Sequence, residues 1–178
     1  MPGRLFHFSD DDGIERFEPR PVRTPSPRPP GRDWLNGPLV WAIDEWHQPL
    51  YLFPRECPRI LIWRRPSSEA ADVARYFAGS TARMVAWVEE GWRNRLESAH
   101  LQRYELPDDT FESLDDAGMW VSRAAVLPRA CERIDRLPDA LARADVELRL
   151  LPSLKPLNRL WETSLHASGI RLRNARDW

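Results

Sequence analysis

The sequence predicts an α+β fold, in which short strands and short helices follow one another without a regular rhythm. Residues 39–43 (LVWAI) and 60–63 (ILIW) are continuous apolar runs, which are typical of strands buried on both faces. Residues 146–150 (VELRL) instead alternate between apolar and polar side chains, as a strand near a sheet edge does. The regular strand–helix–strand repeat of a parallel α/β sheet is missing. We therefore expect about six to eight short strands with small helices scattered among them.

The individual elements follow from apolar spacing and from the residues that start or stop them. Asp44 can cap a short turn after the strand at 39–43, and Pro54 ends that turn. Pro58 forces an extended chain into the next strand, and Gly79 ends the helix that follows. The remaining strands are expected at residues 5–9, 84–88, 101–106, 119–122 and 170–175, and the helices at residues 68–77, 92–99, 137–144 and 157–165.

Residues 19–32 (PRPVRTPSPRPPGR) are rich in proline and arginine. Proline lacks a backbone N–H and favours polyproline II, so this segment cannot pair within a sheet. We favour a long ordered loop that lies over the body of the protein; the alternative is a tether or a ligand for an SH3-type partner. We expect residues 1–178 to form a single domain that includes this loop.

Composition and charge argue against several classes of partner. The 178 residues are 42% hydrophobic and 30% charged, and the net charge is −1. Such a charge provides no long-range field to attract nucleic acid or an anionic membrane. No apolar run approaches transmembrane length, and the first residues lack a signal-peptide pattern. We expect no membrane partner; a nucleotide-type small molecule is the favoured ligand and a nucleic acid the less favoured alternative, and the oligomeric state stays open.

The two cysteines, Cys57 and Cys131, are far apart in the sequence and belong to no CxxC motif. No histidine lies at metal-ligand spacing from either of them, so we expect no metal. Two unpaired thiols are typical of a reducing compartment, which predicts a cytoplasmic protein.

Residues 38–63 form the most informative stretch of the chain. A buried strand, a short aromatic turn and a second buried strand follow one another here, and the turn carries Trp46, His47, Tyr51 and Phe53. This arrangement favours a binding site for a flat ligand, in which the strands form a wall and the aromatic turn forms a shelf on which the ligand stacks. Arg55 lies beside the shelf and could hold a phosphate, although a surface ion pair is the commoner role for such a residue.

Three segments resemble, in order, the motifs of the ADP-ribosyltransferase-like fold. LFHFS (residues 5–9) resembles its first strand, which carries a histidine for the NAD ribose. LVWAIDEWHQPLY (39–51) resembles its second motif, an aromatic strand that ends in alanine before a short helix with a tyrosine. GMWVSRAAVLP (118–128) resembles its third motif, and the same order of motifs resembles uncharacterised bacterial families of similar length. The resemblance spans roughly residues 5 to 150, and it implies short mixed or antiparallel strands in a split sheet, with small helices around a cleft.

The resemblance also implies roles for individual residues. His7 would hydrogen-bond a ribose hydroxyl of NAD, and Ser9 would lie beside it in the cofactor site. Tyr51 occupies the position of the ring that stacks on nicotinamide, and Val40 or Trp41 would form the opposite wall. Arg55 would complete the cofactor-binding set. The implied reaction is ADP-ribosyl transfer or NAD glycohydrolysis, by attack at the ribose carbon that bears nicotinamide, with His7 as the candidate catalytic residue.

Two positions depart from the pattern of the family. Phe8 stands where many members have glycine, and Met119 stands where they have the catalytic glutamate. A thioether cannot orient the ribose or stabilise the positive charge that develops in the transition state. Asp115 and Asp116 would substitute only if their loop folded back. The alternative function is a non-catalytic binding or interaction module that keeps the fold, with residues 19–32 facing its partner.

Arg171, Arg173 and Asn174 form a second polar group near the C-terminus. They predict either an edge that binds phosphate or nucleic acid, or a charged cover for the edge of a sheet, which protects against aggregation. His47, His100 and His166 have no convergent partners in the sequence, and we interpret them as structural or surface residues.

Overall fold

The computed structural model describes residues 3–178. In this part of the chain, ten strands and three α-helices form, together with short 3-10 helices, so the predicted α+β class is confirmed. The strands are β1 (Leu5–Ser9), β2 (Val40–Asp44), β3 (Arg59–Trp63), β4 (Met84–Glu89), β5 (Leu101–Leu106), β6 (Glu112–Ser113), β7 (Met119–Ser122), β8 (Ala130–Ile134), β9 (Val146–Leu151) and β10 (His166–Ile170). The helices are α1 (Ala70–Phe77), α2 (Arg93–Ser98) and α3 (Leu137–Arg143). No helix within residues 3–178 is both long and apolar enough to cross a membrane.

The chain divides into two compact units. The first contains the residues up to Gln48 together with Leu101–Arg133, and the second contains Pro49–His100 together with Ile134–Trp178. Each unit has its own sheet and its own apolar cluster. The expectation of a single domain over residues 1–178 stays a prediction.

The first unit is built on a six-stranded sheet with the order β6-β7-β2-β1-β5-β8. Its central strand β1 pairs antiparallel with β2 on one side and with β5 on the other. Phe6 is opposite Ile43 of β2 and opposite Glu105 of β5. β2 in turn pairs antiparallel with β7, so that Ile43 is opposite Met119.

The two faces of this sheet carry different apolar clusters, because successive side chains of a strand point to opposite faces. Leu5 lies on one face and packs with Ala42 and Tyr104 beneath Phe17. Trp41 and Met119 lie on the other face and pack against Leu35, Leu39, Leu114 and Val121. The alternation of apolar side chains along β2 therefore supplies both faces, as expected for a strand buried on both sides.

The second unit is built on a four-stranded sheet with the order β10-β3-β4-β9. β3 pairs antiparallel with β10 and β4, whereas β4 and β9 are parallel. Every residue of β3 and β4 is buried, which agrees with the continuous apolar run predicted for β3. β9 lies at an edge of the sheet, so the interpretation of its alternating pattern is confirmed.

Two predictions for the C-terminal region are wrong. Residues 170–175 do not form a strand, because Arg171 has a φ of 57° and Leu172–Asn174 form a 3-10 helix. The predicted helix at 157–165 is a 3-10 helix at Lys155–Glu162. Leucines at 154, 157 and 160 pack together in the core of this unit, and a spacing of three matches the 3-10 repeat rather than the α-helical one.

Residues 19–32 contain no helix and no strand beyond an isolated bridge between Arg20 and Leu39. Asn36 holds the middle of this segment against the first unit. Its side-chain amide donates a hydrogen bond of 3.0 Å to the carbonyl of Ser26 and accepts bonds from Ser26 N and from Arg28 Nε. One asparagine side chain thus satisfies polar groups that a proline-rich chain cannot pair within itself.

Candidate functional site

His7 lies in the middle of β1, half-buried, with its ring 4.8 Å from that of Phe17. Its Nδ1 atom is 2.8 Å from the carbonyl oxygen of Trp41. A carbonyl oxygen only accepts hydrogen bonds, so Nδ1 carries the proton and Nε2 is the acceptor of the neutral ring. The bond fixes the tautomer that would accept a hydrogen bond from a hydroxyl group.

Ser9 shapes the turn that follows β1. Its Oγ accepts a hydrogen bond of 3.1 Å from the backbone N–H of Asp11. Asp11 then accepts a bond from Gly13 N through its side chain and another from the Tyr104 hydroxyl through its carbonyl. The hydroxyl of Ser9 therefore has a structural role in this turn, of the type that serine commonly takes in loops. Its predicted contact with a cofactor stays a prediction.

The side chain of Trp41 lies on the opposite face of the sheet from that of His7. Trp41 is opposite Val121 and packs in the cluster that contains Met119, whereas His7 is opposite Tyr104. Of the two residues predicted as the wall facing the ligand, only Val40 belongs to the cluster on the His7 face. The contact between His7 and Trp41 is thus made through the backbone carbonyl.

The indole N–H of Trp41 is a buried donor without a hydrogen-bond partner, the single such side-chain atom within residues 3–178. The guanidinium of Arg28, from the proline-rich segment, lies 5.7 Å from its ring centroid. An unsatisfied buried donor costs about 1–3 kcal/mol, so an acceptor group at this position would bind favourably.

Asp44 and His47 form a pair that the sequence analysis did not predict. Nδ1 of His47 lies 2.9 Å and 3.0 Å from the two carboxylate oxygens of Asp44, and the backbone N–H of His47 donates to the same carboxylate. Asp44 therefore caps the turn, as its position after β2 predicts. The same contacts orient the imidazole as in a histidine–carboxylate general base. The sequence feature that could have indicated this pair is the spacing of three positions between Asp44 and His47 at the end of a strand.

Burial and hydrogen bonding act in opposite directions on Asp44. Partial burial disfavours the charged carboxylate, but the hydrogen bonds from His47 outweigh it and lower the pKa of Asp44 below its usual value. The carboxylate is therefore ionised near neutral pH and available as the acceptor for His47.

Met119, at the position expected for a catalytic glutamate, begins β7 directly after a tight turn. Its backbone N–H donates to Asp116 O, and its carbonyl accepts from Leu114 N. Asp115 has a φ of 53° and accepts a hydrogen bond of 3.0 Å from the hydroxyl of Ser113 within the same turn. The carboxylate of Asp115 is thus held by its own hairpin and not folded back along β7.

Tyr51 and Arg55 belong to the second unit, whereas His7, Ser9 and Trp41 belong to the first. Tyr51 ends a 3-10 helix (Gln48–Tyr51), and the guanidinium of Arg59 lies 5.5 Å from its ring centroid. Burial raises the pKa of the Tyr51 hydroxyl, although the nearby positive charges of Arg59 and Arg171 act against this. Tyr51 is neutral over the physiological range.

The segment after Tyr51 meets the C-terminal polar group. Nε of Arg171 donates to the carbonyl oxygen of Arg55 at 3.4 Å, and the side-chain amide of Asn174 donates to Glu56. Arg171 and Arg173 each lie 3.7 Å from the carboxylate of Glu56. Residue type alone suggests a phosphate-binding role for Arg55 and, separately, for the arginines near the C-terminus. Nothing in the sequence indicates that these two groups are neighbours.

A surface pocket of about 500 Å³ also lies in the second unit, and the sequence analysis did not predict it. Glu89 is buried at its wall and accepts hydrogen bonds from the backbone N–H groups of Arg176 and Leu154. Trp92 lies beside it, with the guanidinium of Arg95 at 4.9 Å from its ring. These contacts anchor the C-terminal segment to β4.

No group of three or more His, Cys, Asp or Glu side chains within residues 3–178 is arranged to hold a metal ion. Cys57 is buried, and burial raises the pKa of its thiol to about 12. The thiol is therefore protonated at physiological pH and is neither a nucleophile nor a metal ligand in that state.

One of three comparisons with known proteins finds a relationship for this chain. None of the curated proteins and none of the solved structures matches the chain. The model of DUF6886, a family of unknown function, matches residues 6–175. This match includes both sheets, the His7 strand and the arginines at 55, 59, 171 and 173. The chain therefore belongs to the DUF6886 family.

Proposed function

We propose that this protein binds NAD, or a related nucleotide, in the manner of the ADP-ribosyltransferase-like fold. The observation that carries the proposal is the adjacency of the three strands that bear the resembling motifs. β1, β2 and β7 are neighbours in the order β7-β2-β1, although 74 residues lie between Asp44 and Met119 and 30 lie between Ser9 and Val40. The pairing of these strands brings the three motifs to one part of the sheet.

His7 supports the binding role through its fixed tautomer. The hydrogen bond to Trp41 O places the proton on Nδ1, so Nε2 of the neutral ring accepts a hydrogen bond. A ribose hydroxyl supplies the matching donor. In this proposal His7 binds and orients the ribose, and Val40 on the same face contributes apolar contact.

Binding is better supported than ribosyl transfer. Met119 carries no charge to stabilise the developing positive ribose, and Asp115 is held within its own turn by Ser113. The carboxylate of Glu147 is engaged by Arg149 at 2.7 Å. The alternative function is accordingly a non-catalytic module that binds the nucleotide without breaking the nicotinamide–ribose bond.

Calorimetric titration with NAD tests the proposal. We expect saturable binding to the wild type, at least about tenfold weaker binding to His7→Ala, and unchanged binding to His100→Ala, which alters an exposed histidine. Tyr51→Ala tests separately whether the predicted nicotinamide ring contributes. A cooperative unfolding transition shows that the protein is folded. If such folded protein does not bind NAD at millimolar concentration, NAD is not its ligand.

A second measurement separates binding from catalysis. Incubation with NAD and quantification of released nicotinamide reports glycohydrolysis without knowledge of an acceptor. The non-catalytic alternative predicts no release above the rate in buffer. Release that His7→Ala abolishes and His100→Ala preserves would instead establish an active enzyme.

A further inference from the structure

Arg59 is a buried arginine without a carboxylate partner. Only 2% of its surface is exposed, yet no Asp or Glu within residues 3–178 lies at ion-pair distance from it. Its Nε donates to the carbonyl oxygen of Leu50 at 2.9 Å, and its Nη1 donates to that of Cys57 at 3.0 Å. Removing a guanidinium from water costs several kcal/mol unless an opposite charge compensates it. The protein itself provides hydrogen bonds here, and the carboxylate of Glu56 attracts Arg59 only from beyond ion-pair distance.

The third nitrogen of this guanidinium is not used by the part of the protein that the structure describes. Nη2 of Arg59 makes no hydrogen bond within residues 3–178, and it is not among the fully buried atoms that lack a partner. Nη2 therefore retains access to solvent. The rings of Tyr51 and Phe53, at 5.5 Å and 5.2 Å from Cζ, pack against the guanidinium and fix its plane. Arg59 is thus held in place with one donor group left without a protein acceptor in the described part of the chain.

Arg171 supplies a second guanidinium at the same place. The pairing of β10 with β3 sets Ile170 opposite Arg59, and the φ of 57° at Arg171 turns the chain immediately afterwards. The side chain of Arg171 is 33% exposed, and its Nε reaches the carbonyl of Arg55. Burial lowers the pKa of Arg59 to about 10, and the positive charge of Arg171 acts in the same direction. The two guanidinium groups are therefore electrostatic neighbours.

The local charge is strongly positive. The charges of Arg55, Arg59, Arg171 and Arg173 all act on the carboxylate of Glu56. Glu56 is already engaged by the amide of Asn174, which lowers its pKa, and its distances of 3.7 Å to Arg171 and Arg173 exceed those of direct hydrogen bonds. An anion could therefore bind these arginines without displacing Glu56 from Asn174.

We propose that Arg59 and Arg171 form a binding site for a phosphate group, carried by inorganic phosphate or by a phosphate ester. Guanidinium groups present paired donors that match phosphate oxygens. A site with two guanidinium groups binds a phosphate dianion more strongly than it binds a carboxylate, which carries one charge. A bound phosphate supplies the hydrogen-bond acceptor for Nη2 of Arg59 and the counter-charge that its burial requires. The site lies wholly within the second unit and does not depend on His7.

The test is calorimetric titration of the full chain with inorganic phosphate, pyrophosphate and glycerol phosphate, at low ionic strength. Arg171→Gln is the informative variant, because this side chain is partly exposed and its removal leaves the Arg59 contacts to Leu50 and Cys57 in place. Arg159→Gln is the matched control, since Arg159 lies in the same unit, is 76% exposed and pairs with Glu162. Arg59→Lys keeps the charge and removes the paired donors.

We expect one phosphate to bind per chain, about tenfold more weakly to Arg171→Gln and with unchanged affinity to Arg159→Gln. Tighter binding of glycerol phosphate than of inorganic phosphate would identify a phosphate ester as the ligand, tighter binding of pyrophosphate would identify a diphosphate group, and tightest binding of inorganic phosphate would identify the free ion. Equal affinities for wild type and Arg171→Gln would overturn the proposal, as would the absence of binding to folded protein. If acetate bound with the same affinity as phosphate and with the same dependence on Arg171, the proposal of a phosphate site would be overturned in favour of a carboxylate site.

Failure of this site and failure of NAD binding are distinguishable. Phosphate binding that depends on Arg171, in a protein that shows no heat with NAD, supports this site and removes the proposed function. NAD binding that depends on His7 but is unaffected by Arg171→Gln, together with no phosphate binding, supports the proposed function and rejects the phosphate site. If Arg59→Lys does not fold, Arg171→Gln decides the question by itself.

Discussion

Gly118 and His47 are in contact so close that residue 118 cannot carry a side chain. A β-carbon at residue 118 would overlap Nδ1 of His47 and would lie 2.6 Å from Oδ2 of Asp44. Gly118 also has a φ of 69°, and its carbonyl accepts a hydrogen bond of 2.9 Å from the backbone N–H of Asp44. The glycine before β7 thus permits the Asp44–His47 pair to form at the end of β2.

Gly118→Ala is expected to destabilise the protein by about 2–4 kcal/mol, because overpacking and a positive φ both penalise alanine at this position. Urea denaturation followed by tryptophan fluorescence measures the change. Gly91→Ala is the control, since a β-carbon at residue 91 meets no atom within 4 Å. A loss for Gly118→Ala no larger than that for Gly91→Ala would contradict the close contact with His47.

The Asp44–His47 pair predicts a dependence of stability on acid pH. The pKa of Asp44 in the folded protein lies below its ordinary value of 3.8, so the folded state binds fewer protons than the unfolded state. The stabilisation is complete above the unfolded pKa and is lost as the pH falls through the folded pKa. Asp44→Asn should remove this part of the dependence.

The measurement is the free energy of unfolding of wild type and Asp44→Asn from neutral pH down to about pH 3. We expect the two proteins to differ most near neutral pH and to converge as the pH falls. A difference that stayed constant over this range would mean that the carboxylate charge of Asp44 contributes nothing to stability.

Asn36 is expected to control the accessibility of the proline-rich segment. Asn36→Ala removes the hydrogen bonds to Ser26 and Arg28, so trypsin should cleave within residues 19–32 several-fold faster, with a loss of overall stability of about 1 kcal/mol. Mass spectrometry of the fragments identifies the cleavage sites. Asn94→Ala, in α2, provides a control far along the sequence from this segment. Equal cleavage rates for both variants would show that other contacts hold the segment.

The two thiols should differ sharply in reactivity. Cys131 is exposed, whereas burial raises the pKa of Cys57 to about 12. Iodoacetamide near pH 8 is therefore expected to modify one thiol per folded chain and both thiols in denaturant. In Cys131→Ser the folded protein should be unreactive. Rapid modification of folded Cys131→Ser would show that the region around Cys57 opens readily.

Several strands could be predicted because their sequences leave few other choices. β2 and β3 are apolar on both faces, so any fold has to bury them as central strands. β8 and β10, in contrast, escaped prediction, because ACERI is largely exposed and HASGI has no apolar alternation. All five residues of β10 pair with β3, and it is this partner that makes the segment a strand.

The candidate sites show the same division. The resemblance of the first strand to a known motif singles out the histidine of β1, residue type singles out the arginines near the C-terminus, and the position at a strand end predicts the Asp44 cap. The sequence contained no indication that Trp41 and His7 would face opposite sides of the sheet, because strand registers depend on long-range pairing. Nor did it indicate that Arg171 would lie beside Arg59.

The sequence by itself therefore determined the α+β class, the buried strands and the chemical types of the candidate groups, since these depend on local apolar patterns and on side-chain chemistry. Only the tertiary structure decided which of those groups are neighbours. The reason is physical: Arg59 and Arg171 are separated by more than a hundred residues, and the hydrogen-bonded register of β3 and β10 alone brings them to one place.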